Sequence, residues 1–156
     1  MPSKVKIRKA TTQDSKIIAG YYKKLSAYEK KFDPYINVKK SPSEKKLKKM
    51  MASPKNCYLI AEMDGKPIGC GASNIEKIPG NWNILKTRGS IFFMFIDAKY
   101  RNKGIGKEII KHLVKWLKKR NIRLITIKVY ANNEMALEAY KKYGFKEYII
   151  QMKFKK

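Results

Sequence analysis

Ile91-Phe92-Phe93-Met94-Phe95-Ile96-Asp97-Ala98-Lys99-Tyr100-Arg101-Asn102-Lys103-Gly104-Ile105-Gly106-Lys107 opens the stretch, ending at Leu117, around which the chain is organised. Its first six residues are apolar, aromatic and branched, and too few for a helix of their own. They read as the end of a strand, running from Thr87 to Ile96, that is covered on both faces. A polar corner follows. Ile109, Ile110, Leu113, Val114 and Leu117 then recur on one side of a helix expected from Ile105 to about Arg120.

A strand, a glycine corner and a helix together bring unpaired backbone N–H groups to one place. The amides of a first helical turn lack partners, and the helix dipole adds to their pull on an anion. Glycine at 104 and 106 lets a diphosphate approach the backbone without meeting a Cβ. Arg101, Lys103 and Lys107 can add charge-assisted contacts. The plainer alternative is a helix start that needed a flexible turn, with lysines as solvent coating. Neither the Rossmann fingerprint nor the P-loop pattern fits, since there is no third glycine and no Gly-Lys-Ser/Thr ending.

Arg101-Asn102-Lys103-Gly104-Ile105-Gly106 resembles the signature of the GCN5-related N-acetyltransferases, Arg/Gln-x-x-Gly-x-Gly/Ala just after a central strand. Asn133, Ala136, Tyr140, Gly144 and Phe145 resemble that family's second motif at its usual spacing. The resemblance implies an α/β fold (α+β in some schemes) with a mixed central sheet, a splayed parallel strand pair and about four flanking helices. It implies acetyl-CoA as donor, its diphosphate held over residues Arg101, Asn102, Lys103, Gly104, Ile105, Gly106 and Lys107. Its pantetheine arm would lie along the backbone of Met94, Phe95 and Ile96, with Asn133 and Tyr140 completing the cofactor side. The activity implied is direct attack of a primary amine on acetyl-CoA in a ternary complex. Tyr140 is the implied proton donor to the departing sulfur, against the simpler role of packing between the last helix and the sheet.

One departure stands out. Many family members carry a glutamate near the end of the central strand, but Ser90 to Ile96 holds no acid. Glu62, Glu76, Glu29 and Asp97 are the sequence candidates for a base acting through water, the alternative being an amine that arrives neutral; for each acid, the simple reading is a surface ion pair with a lysine. The family also places the acceptor near the end of the first helix, which singles out Tyr28, Glu29, Phe32, Asp33 and Tyr35. A weaker similarity, in Ile7-Arg8-Lys9-Ala10-Thr11 and Ala27-Tyr28-Glu29, points to the polyamine and small-amine members; a protein or peptide amine competes with it. The rival class is a non-catalytic basic protein that binds CoA or nucleic acid on the same fold.

Composition bounds the partners. Residues 1–156 suit one domain. Lysine and arginine number 37 against 12 acids, a formal charge of +25. Such an excess favours anionic partners and disfavours a polycationic acceptor unless a local acidic pocket reverses the field. Most lysines interleave with apolar helix positions and read as solvated faces; without a nucleic-acid-binding signature, nucleic acid is the less favoured partner. No membrane segment is expected, nor a metal, since the one histidine, His112, reads as a half-exposed helix residue. A cytoplasmic protein that forms a homodimer on family precedent is the expectation.

Five local expectations complete the reading. Val5 to Arg8 forms an edge strand, and Ile17, Ile18, Tyr21, Tyr22, Leu25 and Tyr28 form the stripe of the first helix, stopped by Asp33-Pro34. Ser41-Pro42-Ser43-Glu44 starts the second helix with Ser41 as cap. Cys57–Met63 and Pro67–Ile75 form a hairpin about Asp64-Gly65, which puts Cys57 and Cys70 on one face as buried thiols. Trp82 covers an apolar patch, stacks on the acceptor or contacts a partner copy. Leu124 to Val129 is a parallel strand, Asn133 caps the last helix, and Lys146 to Phe154 supplies a final strand.

Overall fold

The computed structural model describes residues 4–155 and shows a five-stranded sheet in the order β1-β2-β3-β4-β5. The strands are β1 (Val5–Lys9), β2 (Asn56–Met63), β3 (Lys66–Lys77), β4 (Thr87–Ile96) and β5 (Ile125–Ile127). Neighbours are antiparallel except β4 and β5, which run parallel. Helix α3 (Ile105–Lys118) makes the crossover that a parallel pair needs. Helices α1 (Ser15–Glu29) and α2 (Glu44–Ala52) lie on one face, and α4 (Glu134–Lys142) follows β5.

Two cores sandwich the sheet. On one face Ile18, Tyr21 and Leu47 pack on Tyr58, Ile60, Cys70, Ala72, Phe93 and Phe95. On the other, Ile105, Ile109, Ile110 and Leu113 pack on Cys57, Leu59, Ala61, Ile68 and Ile91. With apolar helices on both sides, β4 has no solvent face for alternating polar residues, which explains its continuous apolar sequence.

The hairpin forms as expected, with Asp64 and Gly65 both at positive φ (51° and 74°). Its register differs. Ala61 pairs with Gly69 but Glu62 pairs with Pro67, so Ile68 is an extra residue on β3. This bulge moves the rest of the strand by one position. Cys57 then opposes Ser73 and Cys70 opposes Ile60, so the two thiols belong to opposite cores rather than to one face.

Three further expectations are corrected. The cap of α2 is Ser43, whose hydroxyl accepts the Lys46 N–H at 3.3 Å, while the Ser41 hydroxyl donates to the Val38 carbonyl at 2.9 Å and closes the turn before it. Residues 146–155 form no strand, and Ile149, Ile150, Met152 and Phe154 are 74–94% exposed. Branched and aromatic residues favour a strand only where a ladder receives their backbone, and this segment meets none. Trp82 covers no apolar patch of its own chain: it is exposed, and its indole N–H donates to the Pro79 carbonyl at 3.3 Å. No helix of the described residues is long and apolar enough to cross a membrane.

Side chains of helix α3 pack directly over Gly71. A Cβ there would run into Ile109 and lie 2.9 Å from the Met94 sulfur. Gly71→Ala should therefore lower unfolding free energy by about 1–3 kcal/mol, measured as a lower denaturant midpoint with unchanged slope.

Candidate active site

Three neighbouring features shape the site, beginning at the corner after β4. A single 3-10 turn covers Ala98–Tyr100, and α3 begins at Ile105. Asn102 and Gly104 both sit in the left-handed region (φ 60° and 76°). Such residues bend the backbone so that amides converge on a concavity suited to an anion. Gly104 is the N-cap itself and carries no side chain over the free N–H groups of the first turn. Ile105, buried, anchors the helix start in the core.

Arg101 holds the corner to the strand. Its Nε–H donates to the Ile96 carbonyl at 2.9 Å, and its guanidinium lies 5.7 Å from the Tyr28 ring centroid and 5.8 Å from that of Phe95. The arginine of the motif thus joins β4, the corner and the end of α1.

The second feature is a gap in the sheet. β4 pairs with β5 only over Gly89–Ile91. Immediately afterwards comes a second bulge: Ala72 pairs with Phe93 and Ser73 with Ile91, leaving Phe92 as the extra residue. Beyond it the parallel strands separate, and a cavity of about 250 Å³ opens between Phe92–Ile96 on one side and Ile127, Lys128, Val129 and Tyr130 on the other. The Asp97 N–H donates to the Ile68 carbonyl at 2.9 Å, so by strand alternation Phe95 faces β3 while the backbones of Met94 and Ile96 face the cavity. Of the three residues expected to offer their backbone, Met94 and Ile96 are the ones turned the right way.

Third, α4 closes the cavity. Asn133 caps it, accepting the Ala136 N–H at 3.3 Å, and Gly144 ends it at φ 99° with the Phe145 N–H donating to the Tyr140 carbonyl at 3.0 Å. Tyr140 is thereby fixed on the inner face, its ring edge-on to Phe145 at 6.3 Å. Burial, with the negative charge of Glu29 and then Tyr143 adding to it, pushes its hydroxyl up to about 12, so it is a protonated phenol at neutral pH. Opposite it, the Tyr130 hydroxyl donates to the Asp33 carboxylate at 3.4 Å.

The sequence pattern of the Acetyltransferase (GNAT) family matches residues 24–145. The chain belongs to that family. A relative described as an uncharacterised N-acetyltransferase, from Methanocaldococcus jannaschii, is 33% identical over 119 residues, covering 74% of this chain and 50% of its own. An N-alpha-acetyltransferase of Sulfurisphaera tokodaii is 30% identical over 98 residues, covering 58% and 56%. The chain thus spans about half the length of the curated relatives it matches. Among solved structures, a predicted acetyltransferase of Clostridium acetobutylicum with acetyl-CoA superposes at a TM-score of 0.77, with 23% identity, over 97% of this chain and 96% of its own. That likeness is one of fold.

Within this GNAT fold most of the expected site residues converge. Met94, Phe95, Ile96, Arg101, Asn102, Gly104, Ile105, Gly106, Asn133 and Tyr140 all line the cavity. Lys103 and Lys107 do not: the Lys103 ammonium lies 5.7 Å from the Tyr100 ring centroid, and Lys107 is on the outer face of α3. His112 is exposed, its Nδ1 2.8 Å from the Glu108 carbonyl oxygen. Tyr143 also reaches the cavity; its place one turn after Tyr140 was a signal in the sequence. Tyr130 had none, because only the splay of β5 brings it there.

Neither Glu62 nor Glu76 lines the GNAT cavity. Glu76 sits at the far end of β3, its carboxylate accepting from Arg88 Nε at 2.7 Å, and Asp97 is paired with Lys24 at 3.2 Å. Glu62 accepts from Arg8 Nε at 2.6 Å, and the same guanidinium donates to both oxygens of Asp14 at 2.8 Å. That fork holds the Asp14 carboxyl below its ordinary value. Because the folded value is depressed, Asp14 stabilises the fold fully above the unfolded value of about 4 and loses that contribution as pH falls through the folded one. Asp14→Asn should make stability less sensitive to pH below about 4, measured by denaturant titration at several pH values.

Proposed function

We propose that this chain transfers the acetyl group of acetyl-CoA to a primary amine by direct attack in a ternary complex. The observation that carries the reading is the continuous cavity leading from the free amides at the start of α3, past the unpaired edge of β4, to the Tyr140 hydroxyl. The residues fit the donor: a left-handed corner for the diphosphate, and backbone groups of Met94 and Ile96 for the amide-bearing arm. Acetyl-CoA supplies an acyl group already activated as a thioester. The Ile96 N–H is suited to polarise the carbonyl, and the Tyr140 phenol to give its proton to the departing sulfur. The arms of the cavity hold both reactants together, which removes the entropy of a bimolecular encounter.

For the acceptor, we favour the amine of a peptide or protein over a polyamine. The N-alpha-acetyltransferase of Sulfurisphaera tokodaii supports that class, as does the [ribosomal protein bS18]-alanine N-acetyltransferase of Escherichia coli, 27% identical over 71 residues. The charge of +25 works against a polycation. We place residues 1–156 as one acetyltransferase domain in the cytoplasm, in keeping with the two free, buried thiols Cys57 and Cys70. A homodimer is part of the proposal, supported by exposed Trp82, Ile84 and the apolar residues after α4.

A panel of peptides, diamines and amino acids, assayed for acceptor-dependent release of free CoA, tests this reading. Release with an α-amine peptide is the expected result. Saturable acetyl-CoA binding without release for any acceptor would favour the rival, a binding protein on the same fold. Gly104→Glu should weaken acetyl-CoA at least about tenfold by placing a carboxylate where the phosphates belong, read by calorimetric titration. Tyr140→Phe should lower kcat about 10²-fold with little change in acetyl-CoA affinity, and equal turnover would remove the acid assignment.

A further inference from the structure

With no acid on β4, the amine's proton needs another destination. We infer that Glu29, at the end of α1, is the base that takes this proton from the attacking amine; the assignment rests on the acetyl-transfer reading above. Glu29 is the one carboxylate lining the cavity that also holds Tyr140. Among the described residues Asp14, Glu62, Glu76, Asp97 and Glu147 are engaged in ion pairs, whereas Glu29 is in none. A half-buried carboxylate facing a cavity without a cation in bonding reach is costly unless something enters to use it.

Its placement is rigid. The Glu29 carbonyl accepts the N–H groups of Phe32 and Asp33 at 2.8 and 3.0 Å, ending α1 there and fixing the backbone from which the side chain projects. Tyr28, Phe32 and Tyr130 pack in series, with ring centroids 5.4 and 6.2 Å apart, and wall this end of the cavity with apolar surface. Burial raises the Glu29 carboxyl above its ordinary value. Its charge in turn adds to the burial that raises Tyr140, and to the burial and Asp33 charge that raise Tyr130. Charged groups nearby include Arg101, drawn onto Tyr28 and the Ile96 carbonyl, Lys31, whose ammonium lies 4.0 Å from the Tyr28 ring centroid, Lys128 on the exposed rim, and Asp33, bonded to Tyr130.

The step balances. The amine nitrogen bonds the acetyl carbon, the carbon–sulfur bond breaks, the nitrogen's proton passes to a Glu29 oxygen, and the sulfur receives the Tyr140 proton. Tyr140 then regains a proton from solvent as Glu29 releases one to it. A base of raised pKa is better matched to an amine's proton at neutral pH than an ordinary surface carboxylate. The same carboxylate supplies a local negative charge in a strongly cationic protein, on the path by which an ammonium arrives and gives its extra proton to solvent before attack.

The test uses the full chain with its best acceptor. Glu29→Gln should lower kcat by about 10²–10³-fold while acetyl-CoA affinity and thermal midpoint stay unchanged. The enzyme's own acid limb in the kcat profile, lying above the ordinary glutamate value, should vanish in that variant. Glu29→Ala should be rescued saturably by formate, a carboxylate small enough for the space left behind. Turnover of Glu29→Gln within threefold of wild type overturns the assignment. So does a loss of kcat in both variants with the acid limb retained and no rescue, which marks a structural role. Wild-type protein that binds acetyl-CoA but releases no CoA with any acceptor overturns the transferase reading, and this one with it.

Discussion

A parallel ladder that stops early is the constraint on which the structure depends. β4 and β5 share hydrogen bonds over three residues, and the bulge at Phe92 then turns the remaining half of β4 away. A sheet interior normally leaves no backbone group unpaired, because a buried orphan amide costs as much as a lost hydrogen bond. Here the groups of Met94 and the N–H of Ile96 face a cavity, the Ile96 carbonyl being taken by Arg101. Unpaired backbone at the centre of a fold makes sense when a ligand completes the ladder, and this position lies beside the amides of α3 and the phenol of Tyr140.

The rest of the architecture holds that gap open. Apolar helices on both faces stabilise β4 without help from β5, so the separation does not unravel the strand. Gly71 lets α3 approach the sheet behind it. Arg101 bridges the corner to the Ile96 carbonyl and to Tyr28, linking the start of α3 to the end of α1. The motif arginine therefore acts as a brace.

Electrostatics divide the molecule into a cationic exterior and a site with its own charge. Most lysines coat helices, as the interleaving of charge and apolar positions implies. Of the 12 acids, several are held in ion pairs: Arg8 takes Asp14 and Glu62, Arg88 takes Glu76 and Lys24 takes Asp97. The exposed pair of Lys24 with Asp97 contributes little to stability, unlike the part-buried fork of Arg8 on Asp14. Glu62 and Glu76 are thus held in ion pairs away from the cavity, whose lining contains Glu29 as its one carboxylate.

How much of this was legible depended on how local the cause was. Period and punctuation in the amino-acid chain determined the strand at Thr87–Ile96, the glycine corner, α3, the Asp64-Gly65 turn and Tyr140 on an inward helix face, because each follows from contacts within a few residues. The family motifs tied those elements to a cofactor. Register did not follow: one extra residue at Ile68 sends Cys57 and Cys70 to opposite cores, and a bulge depends on how two strands meet. Nor did the fate of residues 146–154, whose strand-forming composition lacks an edge to join. Which carboxylate meets the cavity was decided only by tertiary packing, since Glu29, Tyr130 and Tyr140 are distant in the chain and are gathered by the splay of two strands that no short stretch encodes.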